Sequence, residues 1–178
     1  ESEWKMSTVL SKRQVEKLIM TDVGKSDEII DCCSKNGYKI IDFDDKAYPK
    51  RLKEIINPPA VLYIDGDLPD IDNLVCIGMV GTRKASEYAI KAAHIMAKGI
   101  TEAGALVVSG GALGIDTYSH LGALACGGKT VAVLGNGLGN NYLKANEGLR
   151  NMIKQSGALV TEYQPNVPAN RTSFPMRN

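Results

Sequence analysis

The residues of this chain best suited to chemistry sit in glycine-rich turns that directly follow apolar runs. Ser109-Gly110-Gly111-Ala112-Leu113-Gly114-Ile115-Asp116 follows Ala105-Leu106-Val107-Val108 and leads into a helix-compatible segment. Glycine lets a ligand come close to main-chain N–H groups, and a helix N-terminus adds unpaired donors and partial positive charge. That combination suits a phosphate. Gly81-Thr82-Arg83-Lys84 follows a second apolar run. Gly135-Asn136-Gly137-Leu138-Gly139-Asn140 follows a third and leads to Lys144. Arg83 can hold a phosphate through two parallel hydrogen bonds, and Lys144 can serve as a point charge. Ser109 is placed either to donate its hydroxyl to an anion or to close its turn. Asp116 is expected to cap the helix that it begins.

Other chemistries fit less well. Gly135-Asn136-Gly137-Leu138-Gly139 is not a dinucleotide fingerprint, because Asn140 stands where the last glycine belongs. The full G-x-x-x-x-G-K-[ST] phosphate-loop spacing is absent as well, so nicotinamide and ATP chemistry are disfavoured and no cofactor is expected. The two histidines, His94 and His120, fall inside helical segments and read as satisfied packing or surface residues. Glu162 is the one acidic residue at a strand end, and a lone carboxylate gives weak grounds for hydrolysis. We therefore expect no catalytic residues, no metal ligands and no enzyme activity. Cys32, Cys33, Cys76 and Cys126 lack zinc or disulfide-scaffold spacing and read as reduced thiols.

The turns need elements to hold them. From Leu74 onward, strand-like and helical segments alternate four times. The predicted strands are 75–80, 106–108, 130–134 and 158–161, and the predicted helices are 86–103, 116–126 and 144–155. In the first helix Ala89, Ala92, Ala93, Met96 and Ile100 recur at helical spacing. Near-continuous apolar strands joined by helices predict an α/β fold with a doubly wound, mostly parallel, Rossmann-like sheet. Ligands bind beyond the carboxyl ends of such strands, where all three glycine turns fall. Residues 1–45 read as a small helical accessory domain, with Ser26 an N-cap and Gly37 a stop. Residues 46–178 form the Rossmann-like domain. Tyr48-Pro49 opens a short helix there, and 60–64 forms a short strand. After Glu162 the pattern is lost, so the core is expected to be incomplete at its C-terminus.

Charge follows the same division. Residues 1–78 carry 11 Lys/Arg against 15 Asp/Glu, a net charge of −4, and residues 79–178 carry 10 against 5, a net of +5. The glycine-rich part is the basic part, which favours a polyanionic partner. No apolar run approaches the ~20 residues of a membrane span, and Glu1-Ser2-Glu3-Trp4-Lys5 lacks a signal-peptide layout. A cytoplasmic protein without membrane contact is the expectation.

Taken in order, several segments resemble the DNA-processing protein A (DprA/Smf) family. They are Pro58-Pro59-Ala60-Val61-Leu62-Tyr63, Val80-Gly81-Thr82-Arg83, the Ser109–Asp116 turn with His120, Gly127 to Leu138, Tyr142-Leu143-Lys144-Ala145-Asn146 and Phe174-Pro175-Met176-Arg177-Asn178. The resemblance covers about residues 46–178. It implies single-stranded DNA binding in bacterial recombination and natural transformation, with RecA as a partner to be loaded and a homodimer in the full-length protein. It also implies a DNA- or phosphate-binding set of Gly81, Thr82, Arg83, Ser109, Gly110, Gly111, Gly114, Lys144, Asn146 and Arg177. Leu113 stands where the family often has a basic residue, and Leu143 where it usually has proline. Tyr88, Tyr142, Tyr163 and Phe174 are the aromatic candidates for base stacking. The competing expectation is a nucleotide phosphoribohydrolase on a related fold. Those enzymes carry a Pro-Gly-Gly-x-Gly-Thr pattern, and the turn at Ser109 has neither the Pro nor the Thr.

Overall fold

A computed structural model describes residues 12–20, 24–140, 144–170 and 173–174. Two helices, α1 (Lys12–Ile19) and α2 (Gly24–Asn36), precede strand β1 (Lys39–Asp42). A short helix α3 (Lys50–Lys53) and strand β2 (Val61–Gly66) follow. The regular alternation comes next: β3 (Cys76–Gly78), α4 (Glu87–Glu102), β4 (Leu106–Ser109), α5 (Ile115–Ala125), β5 (Thr130–Val133), α6 (Glu147–Ser156) and β6 (Ala158–Thr161). A 3-10 turn over Lys144–Asn146 opens α6.

The sheet has six strands in the order β1-β2-β6-β5-β4-β3. β3 to β6 are parallel neighbours, and β2 and β1 extend the sheet antiparallel from β6. The α/β, mostly parallel architecture is as expected. Its winding has one distinctive feature. β3, β4, β5 and β6 lie side by side in sequence order, so successive right-handed crossovers land on one face. Val107 packs with Ala97 of α4 and Ala123 of α5, and Ala132 and Leu159 on the same face pack with Leu149 and Ile153 of α6 and Cys33 of α2. The opposite face, with Leu106, Val131, Ala158 and Val160, is covered by Tyr48, Leu52, Leu68 and Ile71 of the connector. Both faces are buried, but the second is covered by the segment 48–71, whose helix is the four-residue α3, where a doubly wound sheet would have longer helices.

The sheet also begins earlier than residue 46. β1 pairs Ile41 with Leu62 across the edge, and the α2 side chain Cys33 lies in the core. The strand at 39–42 and helix α2 therefore pack as part of the sheet structure. Helix α2 starts at Gly24, so Ser26 lies inside it and is not its N-cap.

Local chemistry sets the other boundaries. Ser86 Oγ accepts from Ala89 N at 3.3 Å and starts α4, a cap typically worth about 1 kcal/mol. Alanines at 93 and 97 keep α4 thin where α5 crosses it. A Cβ at Gly122 of α5 would sit 2.3 Å from the His94 carbonyl oxygen. No described helix is long and apolar enough to cross a membrane. The four cysteines are free thiols.

Candidate nucleic-acid interface

The carboxyl ends of β3, β4 and β5 bring the three glycine turns to one rim. Each turn leads to a helix, so α4, α5 and the 3-10 start of α6 all present their N-termini there. Close packing stitches the first two turns together. Ile115 N donates to Thr82 O at 3.2 Å, and a Cβ at Gly81 would lie 2.6 Å from the Ile115 side chain. Gly114 is the residue before α5, with φ +79° and ψ −129°.

Ser109 is 4% exposed, and its hydroxyl donates to Met79 O at 2.6 Å. It ties the end of β4 to the end of β3. Asn146 is equally buried, and its Nδ2 donates to Gly111 O at 3.1 Å and to Thr117 Oγ1 at 3.0 Å. Both amide hydrogens are used inside the protein. The expectation that Ser109 and Asn146 touch phosphate directly is therefore corrected: they are struts that fix the turn around Gly111. Sequence shows the residue types but not which way these side chains face. Asp116 is also buried. Its Oδ2 accepts from Ala112 N at 3.3 Å, within the same turn, and no side chain caps α5.

The strut reading has a measurable consequence. Asn146→Ala leaves the buried Gly111 carbonyl without its Asn146 donor, while the Thr117 hydroxyl keeps its bond to Ala112 O at 2.8 Å, and is expected to cost about 2 kcal/mol, read as a lower urea midpoint. Because the Asn146 amide is spent inside the protein, the salt dependence of any polyanion binding should stay as in the parent.

What faces outward is different. Gly81, Thr82 and Arg83 are exposed, as is Lys144 at the head of the 3-10 turn that Asn146 fastens to Gly111. Gly110 and Gly114 are half-buried, and Gly111 is buried. The Arg83 guanidinium lies 5.0 Å from the centre of the Phe174 ring. Among the described residues Arg83 forms no ion pair. By sequence Phe174 is only a base-stacking candidate, and nothing in the sequence pattern pairs it with Arg83. Of the other aromatics, Tyr88 is exposed on α4 and the Tyr163 hydroxyl donates to Ser173 O at 3.3 Å. Tyr142 and Arg177 lie outside the described residues.

His120 takes the packing role expected of it. It is fully buried, with Nδ1 at 2.8 Å from Thr130 Oγ1. The Thr130 hydroxyl donates to Val107 O at 2.7 Å, so its oxygen must accept, and the hydrogen sits on Nδ1 of the imidazole.

A mostly parallel sheet with glycine turns, three helix starts and an exposed arginine on one rim defines an α/β protein whose rim has the features that suit an anion. The chain belongs to the DNA recombination-mediator protein A family, the DprA/Smf proteins, whose family model matches residues 39–178. It is 38% identical to DNA processing protein DprA of Streptococcus pneumoniae over 134 residues, 75% of this chain and 47% of that protein. The crystal structure of Streptococcus pneumoniae DprA superposes with a TM-score of 0.79 at 32% identity, covering 91% of this chain and 55% of that one. The Helicobacter pylori DprA structure, which describes that protein's single-stranded DNA binding mode, gives 0.70 at 28% identity over 79% of this chain and 62% of that one. The chain spans about half the length of the curated relatives it matches.

Proposed function

We propose that this chain is a single-stranded-DNA-binding module of bacterial recombination, and that its rim holds the DNA backbone. The observation that carries the reading is Arg83, exposed beside the stitched glycine turns with its guanidinium over the Phe174 ring and in no ion pair among the described residues. Lys144 supplies the second cation, and the glycine turns let a phosphate come close to the backbone at the helix starts. Few aromatics are at hand, so affinity rests chiefly on phosphate contacts. The single-stranded DNA mode described for the Helicobacter pylori relative supports the choice of ligand.

The reading extends to binding without covalent chemistry. Ser109 and the Asp116 carboxylate hold the turn in place, and the buried His120 is bonded to Thr130. It also extends to a cytoplasmic role in DNA uptake and natural transformation, with RecA as the protein to be loaded and a homodimer in the full-length protein. A fluorescence-anisotropy titration with oligo-dT and a duplex of equal length tests the ligand. The single strand should bind more tightly at moderate salt. Equal or tighter binding of the duplex would overturn the assignment.

A further inference from the structure

We propose that Phe174 is the positioning residue for Arg83, holding the guanidinium plane on its ring with the N–H edge turned outward. The inference rests on the reading of Arg83 as a phosphate-binding cation. A free arginine on an exposed turn must give up rotamer freedom to meet a phosphate. An ion pair would fix it but would spend its donors and cancel its charge. Stacking on an aromatic ring fixes the plane through the π face and leaves the in-plane N–H groups available.

The ring is itself seated. A Cβ at Gly135 would lie 2.8 Å and 3.1 Å from two carbons of the Phe174 ring, so the ring occupies space that only glycine leaves open. Its neighbour Ser173 is buried and locked to Asn170. Ser173 N donates to Asn170 Oδ1 at 2.7 Å, and Ser173 Oγ donates to Asn170 O at 2.9 Å. Residues from the turns after β3 and β5 and from the segment beyond β6 thus meet in one stack. The glycine after β5 then has a function besides turn formation, because it makes the seat of the ring that aims Arg83.

The test is oligo-dT binding by Phe174→Leu, Phe174→Tyr, Gly135→Ala, Arg83→Ala and the Arg83→Ala/Phe174→Leu double variant. Phe174→Leu keeps bulk and removes the ring, and it should weaken binding about two- to fivefold. Its salt slope should match the parent, since the cation remains. Phe174→Tyr should bind as the parent does. Gly135→Ala should reproduce the loss with Phe174 still present. The double variant should bind no more weakly than Arg83→Ala alone. Parent-like binding by Phe174→Leu while Arg83→Ala is weakened overturns the positioning role, as do additive losses in the double variant. Parent-like binding by Arg83→Ala overturns the underlying reading of Arg83 instead.

Discussion

Gly114→Ala is expected to destabilise the protein by about 3 kcal/mol and to displace the Arg83 turn. Two costs combine. The backbone at φ +79° and ψ −129° is a conformation that side-chain-bearing residues rarely adopt, and such a residue costs on the order of 1–3 kcal/mol. The new Cβ would also lie 2.2 Å from Thr82 O and 2.8 Å from Arg83 C and O. These are backbone atoms, so no side-chain rotation relieves the overlap. Either the Thr82–Arg83 turn moves away from α5 or α5 shifts at its start. Movement of the turn breaks the Ile115 N to Thr82 O bond that stitches the two turns. Urea unfolding would show a lower midpoint, and oligo-dT affinity would fall with it. An alanine variant within about 1 kcal/mol of the parent, with affinity unchanged, would contradict the claim that close packing here shapes the rim.

Acid should destabilise this fold through His120. Burial pushes its pKa down from 6.5 to about 4. The unfolded chain keeps the ordinary value, so between pH 6.5 and 4 it holds a proton that the folded protein refuses. Stability therefore falls as pH drops through that window, by about 3 kcal/mol in all, and His120 contributes no slope above it. The reason is structural: the ring is fully buried, Nδ1 spends its hydrogen on Thr130 Oγ1, and Nε2 has no hydrogen-bond partner among the described residues to receive a second proton's charge. His120→Leu should flatten this part of the stability profile. Its Thr130 hydroxyl still donates to Val107 O, so the variant should remain folded at neutral pH. Unfolding midpoints followed from about pH 7.5 down to about pH 4 for both proteins provide the check. Parallel profiles would contradict the account.

Much of this architecture is legible in local pattern. The strand at 158–161 matches the sequence expectation to the residue, and the parallel strands 106–109 and 130–133 match to within one residue, because buried strands are near-continuous apolar runs with glycine close to one end or the other. The sequence places Ser86 as the first residue of its helix, where the structure makes it the N-cap of α4, and the glycine that follows, Gly104, takes φ +85°. What the pattern does not show is non-local. Tyr63 pairs with Thr161 across the chain, which attaches β2 and β1 to the far side of β6, and no local periodicity encodes that choice. The same holds for the face covered by Tyr48 and Leu68.

The candidate site divides along the same line. Its glycines and cations can be read from the turns, since their positions at strand ends are sequence-local. The inward turn of Ser109 toward Met79 and of Asn146 toward Gly111 cannot, because a polar residue type serves a ligand or a carbonyl equally well. The Arg83–Phe174 stack joins residues far apart in the chain and is invisible for the same reason.

The central claim is that Arg83 and Lys144 hold the backbone of single-stranded DNA. Its most direct test is the dependence of oligo-dT affinity on salt for the parent, Arg83→Ala and Lys144→Ala. Each variant should bind more weakly, and the slope of log K against log salt should become shallower by ~0.7 for each phosphate that is no longer neutralised. Affinity and slope unchanged in both variants would contradict the account.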